Sequence, residues 1–121
     1  MGHTQTVGQH AEQLCANLLR QQGLTILAQN FRSRFGEIDI IASDRNELVF
    51  VEVRFRKNAN YGQPYETVTP RKQEKLIKTA WSYLQTQRGT ANKACRFDIM
   101  SVTADPQHIE WIKHAFDLNL A

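Results

Sequence analysis

Two adjoining stretches of the chain alternate in polarity with a period of two. Gly36–Asp44 reads GEIDIIASD and Glu47–Arg56 reads ELVFVEVRFR, with Arg45 and Asn46 between them. The alternation predicts two β-strands joined by a tight turn. One parity set is Ile38, Ile40, Ala42, Val49, Val51, Val53 and Phe55, all apolar. The other is Glu37, Asp39, Ile41, Phe50, Glu52 and Arg54, mostly charged. An odd-length loop splits the apolar set between two faces, so the pattern selects an even one. With Asp44 facing Glu47, Asp39 falls opposite Glu52, Glu37 opposite Arg54, and Ile41 opposite Phe50.

The rest of the chain supplies partners for this hairpin. Residues 6–22 have helical spacing, with Val7, Ala11, Leu14 and Leu18 as the apolar stripe. Thr6 is the expected cap, Gln9 stands three residues on, and Gly23 ends the helix. Residues 24–31 read as a first strand. Residues 58–68 lack periodicity and carry Gly62 and Pro64, so they read as a loop. A second helix spans about 70–88, opened by Thr69 and Pro70 and closed by Gly89. Leu76, Ile77, Ala80, Trp81 and Leu84 are its expected buried face. Two further strands are expected at 94–102 and 109–115. The order α-β-β-β-α-β-β predicts an α/β fold: one domain over residues 1–121, with a mixed β-sheet flanked by helices.

Composition narrows the class. At 121 residues the chain can bury one sizeable core. No run approaches the ~18 apolar residues of a membrane span. Cys15 and Cys95 are isolated and read as reduced thiols of a cytoplasmic protein. The net charge is +3, but its distribution says more. Arg54, Arg56, Lys57, Arg71, Lys72, Lys75 and Lys78 cluster against only Glu66 and Glu74, with Phe55, Tyr61 and Tyr65 among them. A basic stretch beside an acidic pair suits a polyanion brought to a metal; a solvated helix face after a polar loop gives the same pattern. Arg32 and Arg34 add cations that can lie over a phosphate backbone. Lys72 falls in the first turn of its helix, where the dipole disfavours a cation.

Directly opposed side chains in a sheet have Cβ atoms about 4.5–5.5 Å apart, and like charges there repel. Asp39 and Glu52 at that spacing need a shared cation or a shared proton. A hard divalent cation such as Mg²⁺ (or Mn²⁺) is the simplest answer. The pattern alone is equally met by two exposed acids salt-bridged by Arg54. Glu12 lies at the border of the first helical stripe, from which it can reach towards the pair or into solvent. His3, His10, His108 and His114 have no ligand spacing with the cysteines, and no glycine-rich phosphate loop is present. Trp81 and Trp111 read as core, and Asp98 as the partner of a neighbouring basic side chain.

The set Glu12, Asp39, then Glu-x-Arg at Glu52 and Arg54 resembles the metal site of the PD-(D/E)xK nuclease superfamily, the restriction-endonuclease-like fold. More closely, Gly36-Glu37-Ile38-Asp39, Phe50-Val51-Glu52-Val53-Arg54 and Arg96-Phe97-Asp98 resemble the bacterial YraN family (UPF0102), regarded as related to archaeal Holliday-junction resolvases. The likeness runs over residues 8–116. It implies a metal-dependent endonuclease acting on structured or branched DNA, or a non-cleaving nucleic-acid-binding module on the same fold. By resemblance Asp39, Glu52 and the backbone carbonyl of Val53 are the metal ligands, and Glu12 joins directly or through water. Arg32, Arg34, Arg56, Lys57, Lys72 and Lys75 are the expected nucleic-acid contacts, and Glu37 is an undecided neighbour. The third signature position is usually lysine, whereas this chain has Arg54, which cannot act as a base. Lys57 or Lys72 can supply an ammonium only if the fold brings one close. Symmetric cutting of both strands calls for a homodimer.

Overall fold

In a computed structural model the described residues are 6–57, 68–87, 93–104 and 107–117. The expected loop at 58–68 lies outside them apart from Val68. The elements run α1 (Val7–Gln21), β1 (Thr25–Ser33), β2 (Gly36–Asp44), β3 (Glu47–Arg56), α2 (Pro70–Thr86), β4 (Ala94–Ala104) and β5 (Gln107–Phe116). They form one five-stranded sheet in chain order. All neighbours are antiparallel except β3 and β4, which pair in parallel across the α2 crossover. This is the mixed α/β arrangement expected of the restriction-endonuclease-like class. Among the described residues no helix is long and apolar enough to cross a membrane.

Both helices start where their caps dictate. The Thr6 hydroxyl accepts from the Gln9 N–H at 3.1 Å, and the Gln9 side chain accepts from the Thr6 N–H at 2.9 Å. This reciprocal pair satisfies two backbone donors at the start of α1. Thr69 caps α2 by accepting from the Lys72 N–H at 3.3 Å. Gly23 takes φ +92°, the left-handed conformation that ends α1 cheaply.

The sheet is buried on both faces. Towards α1 lie Ile40, Ala42, Val49, Val51, Met100 and Val102, packed on Ala11, Cys15, Ala16 and Leu19. Towards α2 lie Ile41, Leu48, Phe50, Phe97 and Ile99, packed on Leu76, Ile77, Ala80 and Tyr83. Ile41 and Phe50, expected on a mostly charged face, are thus core residues, because α2 covers that face. The α1 stripe centres on small residues that let helix and sheet approach closely, while Val7 stays exposed. Trp81 is 49% exposed rather than core. It lies about 100° around α2 from Ala80, and Tyr83 takes the buried place, edge-on to Phe31 and Phe50.

One irregularity shapes the site. β1 carries a bulge between Ile26 and Ala28. Further along, Asn30 takes φ +55° across from Asp39. Ile38 packs towards α2 with Ile41, although Ile40 packs towards α1. The face that β2 presents therefore switches at Asp39, and Ile38 leaves the parity set expected from the sequence. The residue opposite the switch is left-handed, a conformation that asparagine tolerates better than most.

Candidate active site

The register of the hairpin brings the two acids together. β2 and β3 pair from Asp44↔Glu47 to Ile40↔Val51, and backbone pairing stops there. The next position is Asp39 across from Glu52. The Val53 N–H, instead of donating to a β2 carbonyl, donates to Asp39 Oδ2 at 2.8 Å. A strand residue's N–H and C=O point to the same neighbour, so the Val53 carbonyl faces β2 as well. The ladder opens where the carboxylates sit.

The electrostatics of the opening are unbalanced. Burial pushes the Asp39 carboxyl up to about 8, with the charge and hydrogen bond of Glu52 adding to the effect and the Val53 N–H opposing it. Glu52 is 5% exposed. Its Oε2 lies 2.8 Å from Lys72 Nζ and 3.7 Å from an Arg54 guanidinium nitrogen. Burial also holds the Glu12 carboxyl above its ordinary value; Asn30 opposes by hydrogen bonding, and Glu37 and Glu52 add repulsion. Cys15 lies against the site from α1. Burial, then Asp39 and Glu12, push its thiol up to about 12.

Glu12, Asp39, Glu52 and Arg54, predicted from three separate places in the chain, are thus brought to one region. So is Lys72, the helix-start lysine that the dipole disfavours: Glu52 compensates it. Glu37 does not pair with Arg54 as the simple register implied. The ladder has opened before that position, Glu37 turns to Arg32 at 3.7 Å, and Arg54 turns to Glu52. Arg34, Lys57 and Lys75 are exposed and Arg56 is half-buried, which leaves them on the surface rather than among the carboxylates. Asp98 is fully buried, and both its oxygens accept from Arg96 Nε at 3.1 and 3.2 Å.

Asn30 is the residue the sequence reading missed as part of this site. Its side chain acts to lower the raised Glu12 carboxyl, and its left-handed backbone stands opposite the switch at Asp39. The only signal was an asparagine inside a predicted strand, where asparagine is depleted.

The donor set suits a hard cation only in part. Among the described residues no three acidic, histidine or cysteine side chains converge as a metal cage. Two carboxylates and a backbone carbonyl facing one opening remain, and a divalent ion bound there completes its shell with water. The raised Asp39 carboxyl is the observation that fits such an ion, since a cation relieves the repulsion that burial has amplified.

The family described as "Uncharacterised protein family UPF0102" matches residues 11–102. A UPF0102 protein of Coxiella burnetii is 49% identical over 115 residues, covering 95% of each chain. One from Vibrio cholerae is 46% identical over 109 residues, covering 89% of each. One from Nitrosococcus oceani is 42% identical over 111 residues, covering 90% of each. A looser likeness is to the protein in "Crystal structure of SSO0001", with TM-score 0.42 and 14% identity over 93% of this chain and 52% of that one. The matched segment includes Glu12, Asp39, Glu52, Arg54 and Lys72, and on this match the chain belongs to the UPF0102 family.

Proposed function

We propose that the protein is a metal-dependent phosphodiesterase that cuts structured or branched DNA. One observation carries the reading: Asp39 and Glu52 are held in contact at a break in the sheet, and Asp39 is driven towards its protonated form by burial and its neighbour. A purely structural acid pair gains nothing from such an arrangement. Asp39, Glu52 and the Val53 carbonyl would hold Mg²⁺ or Mn²⁺, with Glu12 beside them to join directly or through water. The ion supplies polarisation of the scissile phosphate and a more acidic water.

The side chains of this chain do the rest. Asp39 gives up its proton when it becomes a ligand, so loading is favoured by rising pH. Lys72 brings an ammonium to within 2.8 Å of Glu52 from the start of α2, while Arg54 holds the strand position where superfamily members carry lysine. It can orient a water or meet a phosphate oxygen. Arg54 stays cationic and offsets negative charge developing on the phosphate. Arg32, Arg34, Arg56, Lys57 and Lys75 lie outside the carboxylate opening and hold the nucleic-acid backbone electrostatically. Cutting opposed strands symmetrically requires a homodimer.

The second reading, a nucleic-acid-binding module that does not cleave, is favoured by the same Lys72. Its ammonium, 2.8 Å from Glu52, already stands where a cation is needed. A cleavage assay separates the two. Duplex, flap, splayed and four-way-junction DNAs are incubated with Mg²⁺ or Mn²⁺, with Glu52→Ala beside wild type. Metal-dependent cutting that is lost in Glu52→Ala is the expected result. Binding by both proteins with cutting by neither overturns the nuclease and leaves the module.

A further inference from the structure

A second feature of the α2 side gathers two of these backbone-holding cations, Arg34 and Lys75, around an aromatic ring. Between the β1–β2 turn and α2 lies an open cleft of about 350 Å³, lined by Arg34, Phe35, Arg71, Glu74, Lys75 and Lys78. Four cations face one acid. That acid, Glu74, is already tied to Lys78 at 3.1 Å one helical turn away. The Phe35 ring sits among the cations, with the Arg34 guanidinium carbon 4.8 Å and Lys78 Nζ 5.5 Å from its centroid.

The cleft is built rather than incidental. The Ser33 and Thr79 hydroxyls are hydrogen-bonded at 3.0 Å, which pins the turn to α2. Ser33 also accepts from the Phe35 N–H at 3.0 Å, and Thr79 donates to the Lys75 carbonyl at 2.9 Å. These bonds fix the two walls before any ligand arrives.

We infer that this cleft takes a single unpaired nucleotide, its base against Phe35 and its phosphate among Arg71, Lys75 and Lys78. The inference rests on the nucleic-acid reading above and narrows its substrate to DNA with a single-stranded segment. Three features point this way. The excess of positive charge selects a polyanion. A concavity of this size admits one nucleotide, whereas a duplex needs a broad flat or grooved surface. An aromatic ring inside it offers stacking, which only a base with an open face can use. The surface cation–π contacts of Arg34 and Lys78 are weak enough to yield to a base. From Gly36, at the rim, to Asp39 is three residues of strand, about 10 Å. That is about three nucleotides along a stacked strand.

The test is fluorescence anisotropy in EDTA, so that cleavage plays no part. The probes are a labelled single strand, a duplex with a single-stranded tail, and a blunt duplex. Phe35→Ala is expected to weaken binding of the first two by about 10-fold and of the blunt duplex by less than 2-fold. Phe35→Trp keeps the stacking surface. It is expected to restore affinity and to add a fluorescence signal, over wild type, that the single strand quenches and the blunt duplex does not. Equal losses on all three DNAs overturn the inference, as does full affinity in a folded Phe35→Ala protein or an unquenched Phe35→Trp signal. Discrimination that persists in a wild type that never cuts removes the nuclease and keeps the cleft. Unchanged binding by Phe35→Ala in a protein that does cut removes the cleft and keeps the nuclease. No binding of any of the three overturns both.

Discussion

Two acids in the middle of this sheet are treated in opposite ways. Asp98 on β4 is 0% exposed and fully answered. Arg96 Nε reaches both its oxygens, Trp111 Nε1 donates at 2.8 Å and the His114 N–H at 3.1 Å. Arg96 itself continues to Glu47 at 2.6 Å and Asp44 at 3.4 Å, which ties the β2–β3 turn to β4. Asp39 on β2 receives one backbone N–H and faces two other carboxylates. Residues 39 and 44 are about 17 Å apart along the same strand. A buried acid that serves the fold has its acceptor sites filled by donors within the chain. One left with acceptors unfilled and its carboxyl raised is not explained by the fold, and it is where the proposed function would put a cation.

The sharpest way to break the comparison is to remove the satisfied acid. Asp98→Ala leaves Arg96 Nε, in a guanidinium that is itself almost fully buried, without its acceptor and releases the Trp111 N–H. Breaking a buried pair on one side costs about 3–5 kcal/mol. Urea denaturation is expected to show that loss with little change in any metal-dependent stabilisation of the protein that remains folded. If Asp98→Ala is instead nearly neutral, the network is decorative and the contrast fails.

The next effect is on turnover. Lys72→Met keeps the length and most of the packing of the side chain but removes the ammonium from Glu52. A positioned catalytic group contributes typically 10²–10⁴-fold. A fall of about 100-fold in metal-dependent cleavage is expected, with the metal concentration for half-maximal activity unchanged. A shift in that concentration, with the maximal rate intact, identifies Lys72 as a stand-in for the metal rather than a participant.

Smaller and opposite in sign is Asp39→Asn. The folded protein holds the Asp39 proton up to about pH 8, while the unfolded chain releases it near the ordinary value of 3.8. The group's folded value is raised, so its contribution is present at low pH and fades as pH climbs from about 4 through 8. One proton gives a slope of at most about 1.4 kcal/mol per pH unit. Without metal, thermal melts are expected to show wild type losing stability over that window and Asp39→Asn losing less. The variant is expected to match wild type near pH 5 and to exceed it by a margin that grows with pH and levels off above about pH 8. Added Mg²⁺ or Mn²⁺ is expected to raise the wild-type melting temperature more at pH 8 than at pH 6, and to leave Asp39→Asn unmoved. A wild type indifferent to both ions, beside a stabilised Asp39→Asn, reduces the pair to simple repulsion.

How much of this was legible in the chain follows from where each signal resides. The hairpin bounds and register are local: strict alternation and an even loop fix them, and Asp44↔Glu47 through Ile40↔Val51 follow. The caps at Thr6 and Thr69 are equally local. Ile41 and Phe50 misled because a parity set with two apolar members reads as a wet face until a second helix is known to cover it. Glu37 misled because the ladder stops three positions earlier, at Ile40↔Val51, beside a switch that lies opposite Asn30 on another strand. Lys72 was visible only as an anomaly, a cation at a helix start, and its compensation by Glu52 depends on the α2 crossover. Phe35, beside Arg34 in a turn, carried no pattern; only the fold sets α2 against it.

The smallest expected effect concerns the position where the chain departs from the superfamily signature. Arg54 sits where lysine is usual, but its nearest nitrogen is 3.7 Å from Glu52, whereas Lys72 Nζ is 2.8 Å away. The short contact is the charge-assisted hydrogen bond; the long one is mainly electrostatic. Arg54 is about three-quarters buried as a side chain, so its charge is felt without being the closest cation. Arg54→Lys preserves that charge and shortens the reach. If the ammonium function already resides on α2, the substitution changes the cleavage rate by less than about 3-fold, within what an exchange of partly buried cations costs. A gain or loss above 10-fold returns the role to β3, and Lys72 is then a surface cation that happens to lie against Glu52. Combining Arg54→Lys with Lys72→Met decides the matter. Rescue by the new strand lysine shows that one ammonium beside Glu52 is what the site requires, whichever element supplies it.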